Sequence, residues 1–122
     1  MPTATKKRIA LFGSTGSIGT QALDVIAANP DMFSAEVLTA QTNHTLLIEQ
    51  AMQFNPAVVV IGDESKYALV RDALAGKDIK VFSGEQALQE VASMSIYDMM
   101  LAAIVGYAGL KPTLRADRKS VV

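Results

Sequence analysis

Near the start of the chain, Phe12-Gly13-Ser14-Thr15-Gly16-Ser17-Ile18-Gly19 sets three glycines among three hydroxyl residues. The spacing is G-x-x-G-x-x-G, a relative of the glycine-rich turn that carries a dinucleotide pyrophosphate between a strand and a helix. Gly13 permits a tight exit from the strand. Gly16 has no side chain, so a phosphate can approach the backbone closely. Gly19 lets the helix pack against the sheet. A helix N-terminus adds unpaired N–H groups and a partial positive charge, and Thr15 and Ser17 can add hydroxyl hydrogen bonds. The competing reading is a turn rich in glycine for packing alone. A Walker loop is excluded because Thr20, not lysine, follows Gly19. A nucleophile elbow is excluded because neither Ser14 nor Ser17 stands in G-x-S-x-G.

About twenty residues beyond such a turn, domains that prefer NAD place a carboxylate on the ribose 2′-hydroxyl. Here the stretch reads Leu38-Thr39-Ala40-Gln41-Thr42-Asn43-His44. It has no carboxylate to repel a 2′-phosphate, which favours NADP, and it has no arginine or lysine either. Gln41, Thr42, Asn43 and His44 can reach a phosphate by hydrogen bonds, with charge from His44 if it is protonated. Equally, Thr42 or Asn43 can serve only to cap the next helix.

The surrounding pattern alternates strand-like apolar runs with stretches of helical period. This predicts a single α/β domain over residues 1–122: a Rossmann-type, three-layer parallel sheet with helices on both faces. Strands are expected at Arg8–Phe12, Ala35–Thr39, Ala57–Ile61, Lys80–Phe82 and Asp98–Ala102. Helices are expected at Ser17–Ala28, Thr45–Phe54, Ser65–Ala75 and from Gln86 to about Ser93. Ile18, Ala22, Val25 and Ile26 are expected to form the buried face of the first helix, and Leu47, Ile48 and Ala51 that of the second. Ser83-Gly84-Glu85-Gln86 has the spacing of a capping box. The alternation stops with a helix expected to begin near Lys111-Pro112, so the chain reads as a fragment.

Length, 122 residues, and a composition half apolar with 19% charged residues fit a globular core. A net charge of −1 gives no electrostatic footprint for nucleic acid or anionic membrane, and no apolar run approaches a membrane span. The absence of cysteine removes disulfide and thiol chemistry, and with no signal-peptide pattern the cytoplasm is the expected location. Asp63, Glu64, Asp72 and Asp78 read as solvated charges, and Met94, Met99 and Met100 as packing residues. His44 is a poor general base. No catalytic or metal residue is expected in this stretch.

The chain closely resembles the N-terminal region of the 1-deoxy-D-xylulose 5-phosphate reductoisomerases. The residues that carry this are the turn Gly13–Gly19, then Ala22-Leu23-Asp24-Val25-Ile26, Asn29-Pro30 with Phe33, and Phe54 with Pro56. Most specific is Ala102-Ala103-Ile104-Val105-Gly106-Tyr107-Ala108-Gly109-Leu110-Lys111-Pro112-Thr113-Leu114. The resemblance implies an NADPH-dependent oxidoreductase of non-mevalonate isoprene biosynthesis, which isomerises and reduces its substrate to 2-C-methyl-D-erythritol 4-phosphate. It implies a divalent metal, Mg or Mn, in the full-length enzyme only, and a full-length homodimer. By matching position, Thr15, Gly16, Ser17 and Ile18 would contact the cofactor phosphates and Asn43 would lie near the adenosine ribose. The loop from Ala102 and Ala103 would run along the cofactor. Where the family often has glycine and then a basic residue, this chain has Gln41 and Thr42. The family's Asn-Lys-Glu segment and acidic metal site are absent, and residues 115–122 depart from its pattern, as a non-native tail would. The chain alone is therefore expected to bind cofactor without catalysis. The alternatives are the nucleotide domain of another NADP-dependent dehydrogenase or a non-catalytic nucleotide-binding module. Apolar surface over Met100–Val105 is expected to favour self-association.

Overall fold

The computed structural model describes residues 6–102 and the short strand Ser120–Val121. Strand β1 is Lys7–Phe12, helix α1 Ser17–Ala28, β2 Phe33–Ala40 and α2 His44–Phe54. They are followed by β3 Val58–Ile61, α3 Tyr67–Ala73, β4 Lys80–Ser83, α4 Glu85–Ala92, β5 Met99–Ala102 and β6 Ser120–Val121. Among the described residues these strands form one sheet in the order β4-β3-β2-β1-β5-β6, and every neighbouring pair is parallel. The expected α/β architecture with helices on both faces is present.

Strand residues alternate between the two faces, and each face has its own core. Ile9, Leu11, Leu38, Val59 and Ile61 pack with Leu23, Ile26, Leu47, Ala51 and Val70 from α1, α2 and α3. On the opposite face, Ala10, Phe12, Val37, Val58, Val60 and Met100 pack with Leu88, Val91 and Ala92 of α4 and with Tyr97. Burial on both faces explains why Val58–Ile61 is continuously apolar. Tyr97 is fully buried, and its hydroxyl donates to the carbonyl of Ala92 at the end of α4.

Three local expectations are corrected. The buried residues of α1 are Gly19, Leu23 and Ile26, while Ile18 and Val25 are 55% and 54% exposed. Ile26 is buried and Ala22 packs against the core as expected, so the correction concerns Ile18 and Val25, whose inward places go to Gly19 and Leu23. Ser83 does not start a capping box: it is still paired in β4 opposite Ile61, and Gly84, at φ +96°, caps α4 without a side-chain bond. The helix expected from Ser65 is split into a 3-10 turn, Glu64–Lys66, and then α3, because Asp63 accepts from the Ser65 amide and hydroxyl.

Met100 is fully buried, as expected of a packing residue, and so is not part of the apolar surface expected from Met100 onward. The apolar surface nearby is a groove between α1 and the sheet, lined by Ala22, Val25, Met99 and Leu101 among others. Residues 103–105, Gly106, Gly109 and the helix expected near Lys111-Pro112 lie outside the described residues.

At the sheet's far end, β1 and β5 are clamped together. The Arg8 guanidinium donates to both Asp98 carboxylate oxygens, at 3.1 and 2.9 Å, and the Arg8 amide donates to one of them at 2.9 Å. The Asp98 amide returns a bond to the Arg8 carbonyl at 2.8 Å. The Arg8 side chain and amide hold the Asp98 carboxyl at about 2, below its usual 3.8. A depressed carboxyl stabilises the fold above its unfolded value, and that contribution is lost as pH falls through the folded value. Between pH 4 and 2, denaturant stability should fall more in the native chain than in Asp98→Asn. Because the pair is exposed, the difference should be about 1 kcal/mol or less. Equal pH slopes in the two proteins would refute this.

Candidate nucleotide-binding site

Strand β1 delivers its last residue, Phe12, fully buried to the C-terminal edge of the sheet. There the chain must turn sharply, and Gly13 does so at φ +91°, a backbone region that side chains disfavour. The turn is tied to the end of β2. The Gly13 amide is shared between the Thr39 carbonyl at 3.1 Å and the Thr39 hydroxyl at 3.0 Å, and the Ser14 amide donates to the same carbonyl at 2.8 Å. Thr39 is itself buried.

The next residues alternate in role. Ser14 is fully buried and points inward to Gln50 of α2. Gly16 is the N-cap of α1, in extended conformation and with no side-chain capping bond. The first-turn amides of α1, from Ser17 onward, therefore have no intrahelical acceptor and no cap, which suits an anion from outside. A Cβ on Gly16 would meet nothing closer than the Gly13 carbonyl oxygen at 4.0 Å, so the face of the turn is open there. A Cβ on Gly19 would lie 2.1 Å from that same oxygen and 2.8 Å from Ser14 backbone atoms. Gly19 is required because the helix closes onto the turn itself, a tighter constraint than the helix–sheet packing expected for it.

A cavity of about 150 Å³ opens beside the turn, lined by Gly13, Thr15, Gly16, Thr39, Ala40, Gln41 and Leu88. It lies at the carboxyl ends of β1 and β2. The strand order reverses at β1, with β2 on one side and β5 on the other, and open α/β sheets bind ligands at such a point. Gly13, Thr15, Gly16 and Gln41 are thereby brought to one cavity. Ser17 and Ile18 stand exposed on the first turn of α1 above it. Ala102 closes β5 directly opposite Phe12, next to the start of the turn. Ala103 lies outside the described residues.

Beyond β2, Gln41 and Thr42 are exposed, and the Gln41 carboxamide lies over Gly62, where a Cβ would come within 2.6 Å of its Oε1. Asn43 caps α2, its Oδ1 accepting from the Leu46 amide at 3.2 Å. The capping role considered for Asn43 is thus formed, and its Nδ2 is the atom left to face a ligand. Asp63 is occupied as the cap of the 3-10 turn, and the Ser65 hydroxyl and amide hold its carboxyl below the usual range. Asp72 accepts from Arg71 at 3.1 Å.

Sequence reasoning missed Thr39, Gln50 and Leu88. Gln50 left a signal: it is a polar residue on the same inward stripe of α2 as Leu47 and Ala51. Leu88 left none, because it comes from a helix remote in sequence.

A family model described as 1-deoxy-D-xylulose 5-phosphate reductoisomerase matches residues 9–121. The reductoisomerase of Bacteroides thetaiotaomicron is 53% identical over 113 residues, covering 93% of this chain and 29% of that protein. That of Chloroherpeton thalassium is 48% identical over 110 residues, covering 90% of this chain and 28% of that protein. Among solved structures, the Zymomonas mobilis reductoisomerase in complex with NADPH aligns with a TM-score of 0.89 at 40% identity, over 97% of this chain and 31% of that one. A reductoisomerase in complex with NADPH, fosmidomycin and magnesium aligns at 0.86 and 34% identity, over 94% of this chain and 29% of that one. The chain spans less than a third of the length of each of these relatives.

Proposed function

Because the chain belongs to the 1-deoxy-D-xylulose 5-phosphate reductoisomerase family, we propose that residues 1–122 are its NADPH-binding domain. The observation that carries this is the open face of Gly16 at the uncapped start of α1, beside a cavity reaching the end of β2. Amides of Ser17 and Ile18 would take the pyrophosphate, with the Thr15 and Ser17 hydroxyls beside them. Gln41, Thr42 and the free Nδ2 of Asn43 would receive the adenosine ribose and its 2′-phosphate by hydrogen bonding. Ala102, and Ala103 after it, would run along the rest of the cofactor.

NADPH supplies a hydride, and these residues hold and orient it. In the longer protein that hydride would reduce the aldehyde formed when the substrate's skeleton is rearranged, giving 2-C-methyl-D-erythritol 4-phosphate. Magnesium accompanies relatives in solved structures. Among the described residues no three His, Cys, Asp or Glu side chains gather as a metal site. A divalent metal would be held by other residues of the longer protein. We further propose that the domain alone binds without catalysis and that the whole enzyme is a cytoplasmic homodimer. Among the described residues no helix is long and apolar enough to cross a membrane.

Calorimetric titration with NADPH and NADH in parallel tests the assignment. NADPH should bind more tightly by about tenfold, or ~1.4 kcal/mol. Equal affinity would remove the 2′-phosphate contacts around Gln41–Asn43. Binding of neither would overturn the cofactor assignment for this chain.

A further inference from the structure

Gln50 lies on the buried stripe of α2, 6% exposed between Leu47 and Ala51, where an apolar residue would ordinarily sit. A buried carboxamide is costly unless both of its ends are bonded. Both ends are spent on one residue, thirty-six positions earlier in the chain. The Ser14 hydroxyl donates to Gln50 Oε1 at 2.6 Å, and Gln50 Nε2 donates to the Ser14 carbonyl at 2.8 Å.

Ser14 is the first residue after the left-handed Gly13, and its own amide is already bonded to Thr39. Gln50 therefore fixes the Ser14 carbonyl, and with it the plane of the peptide that leads into Thr15. Rotation of that peptide would carry Thr15 and Gly16 away from the cavity they line. A hydrophobic side chain at residue 50 could fill the space, but it could not hold the peptide.

We propose that Gln50 is a positioning residue for the nucleotide site: without touching the cofactor, it sets the shape of the turn that receives the pyrophosphate. This rests on the cofactor assignment above. It also predicts a property of the free protein that does not depend on that assignment.

The test compares the native chain with Gln50→Met, Ser14→Ala and the double variant, far below their melting temperatures so that every molecule is folded. Two readouts are taken: amide hydrogen exchange at Gly13 and Ser14, whose amides are bonded to Thr39, and the NADPH dissociation constant. Gln50→Met should speed exchange in the turn by about tenfold, a factor that one ordinary hydrogen bond supports. The β3 amides of residues 58–61 should stay protected. The NADPH dissociation constant should rise by a similar factor. Ser14→Ala, which keeps the Nε2 bond to the carbonyl, should do less, and the double variant should be no worse than Gln50→Met. Gln50→Glu keeps an acceptor for the Ser14 hydroxyl but loses the donor, and should not rescue. A lower melting temperature with unchanged turn exchange and unchanged affinity would show a merely structural role and overturn the proposal. If the native chain bound no NADPH, the cofactor assignment would fail, while the exchange comparison would still decide the role of Gln50.

Discussion

Gly19→Ala is expected to destabilise the fold severely. The added methyl would sit 2.1 Å from the Gly13 carbonyl oxygen and 2.8 Å from the backbone of Ser14, and no rotamer can relieve a Cβ clash with main chain. Relief would require moving either the first turn of α1 or the turn that follows β1. The second is held by three hydrogen bonds to Thr39 and two to Gln50. The first is continuous with the rest of α1, which carries Leu23 and Ile26 into the core. Either movement gives up packing, so destabilisation should reach about 3 kcal/mol or more, at the upper end of what single substitutions cause. Urea unfolding followed by circular dichroism would measure it. A loss below about 1 kcal/mol would mean that the helix and turn are not in such close contact.

Gly16→Val should do the reverse. Around Gly16 a Cβ finds open space, and its backbone, at φ −79° and ψ 176°, is one that valine readily adopts. The fold should lose no more than about 1 kcal/mol, the cost of replacing glycine at an N-cap by a poor capping residue. Binding should suffer far more. A branched side chain would stand where phosphate oxygens must approach the amides of α1. Hydrogen bonds to a charged group contribute about 1.5–3 kcal/mol each. Losing one or two of them should raise the NADPH dissociation constant by about a hundredfold. Unchanged affinity in a well-folded Gly16→Val protein would remove the pyrophosphate from this turn. Two glycines three residues apart in one motif thus separate into one needed by the fold and one needed by the ligand.

The motif already gave Gly16 to the phosphate and Gly19 to packing, but not the contacts that enforce the division. G-x-x-G-x-x-G names three positions, but the φ of Gly13, the contact of Gly19 and the open side of Gly16 are tertiary facts. The rotation of α1 has the same origin. Ile18, Ala22 and Val25 on one side, or Gly19 and Leu23 on the other, can each share a helical stripe with Ile26. The choice falls to Gly19, because no larger residue can face the Gly13 carbonyl, and so the isoleucine and valine of the first stripe are left outward. Ser83 failed as a cap because pairing with Ile61 extended β4 through it.

Residue order alone shows the alternation of strands and helices, the place of the glycine-rich turn between the first strand and helix, and the absence of a carboxylate at Gln41–Asn43. These are readable because strand and helix periods, and glycine's freedom, act over a few neighbouring residues. Packing alone brought Thr39, Gln50 and Leu88 to the turn. Their roles depend on contacts between segments distant along the chain, where a buried polar group must find whichever partner the packing offers.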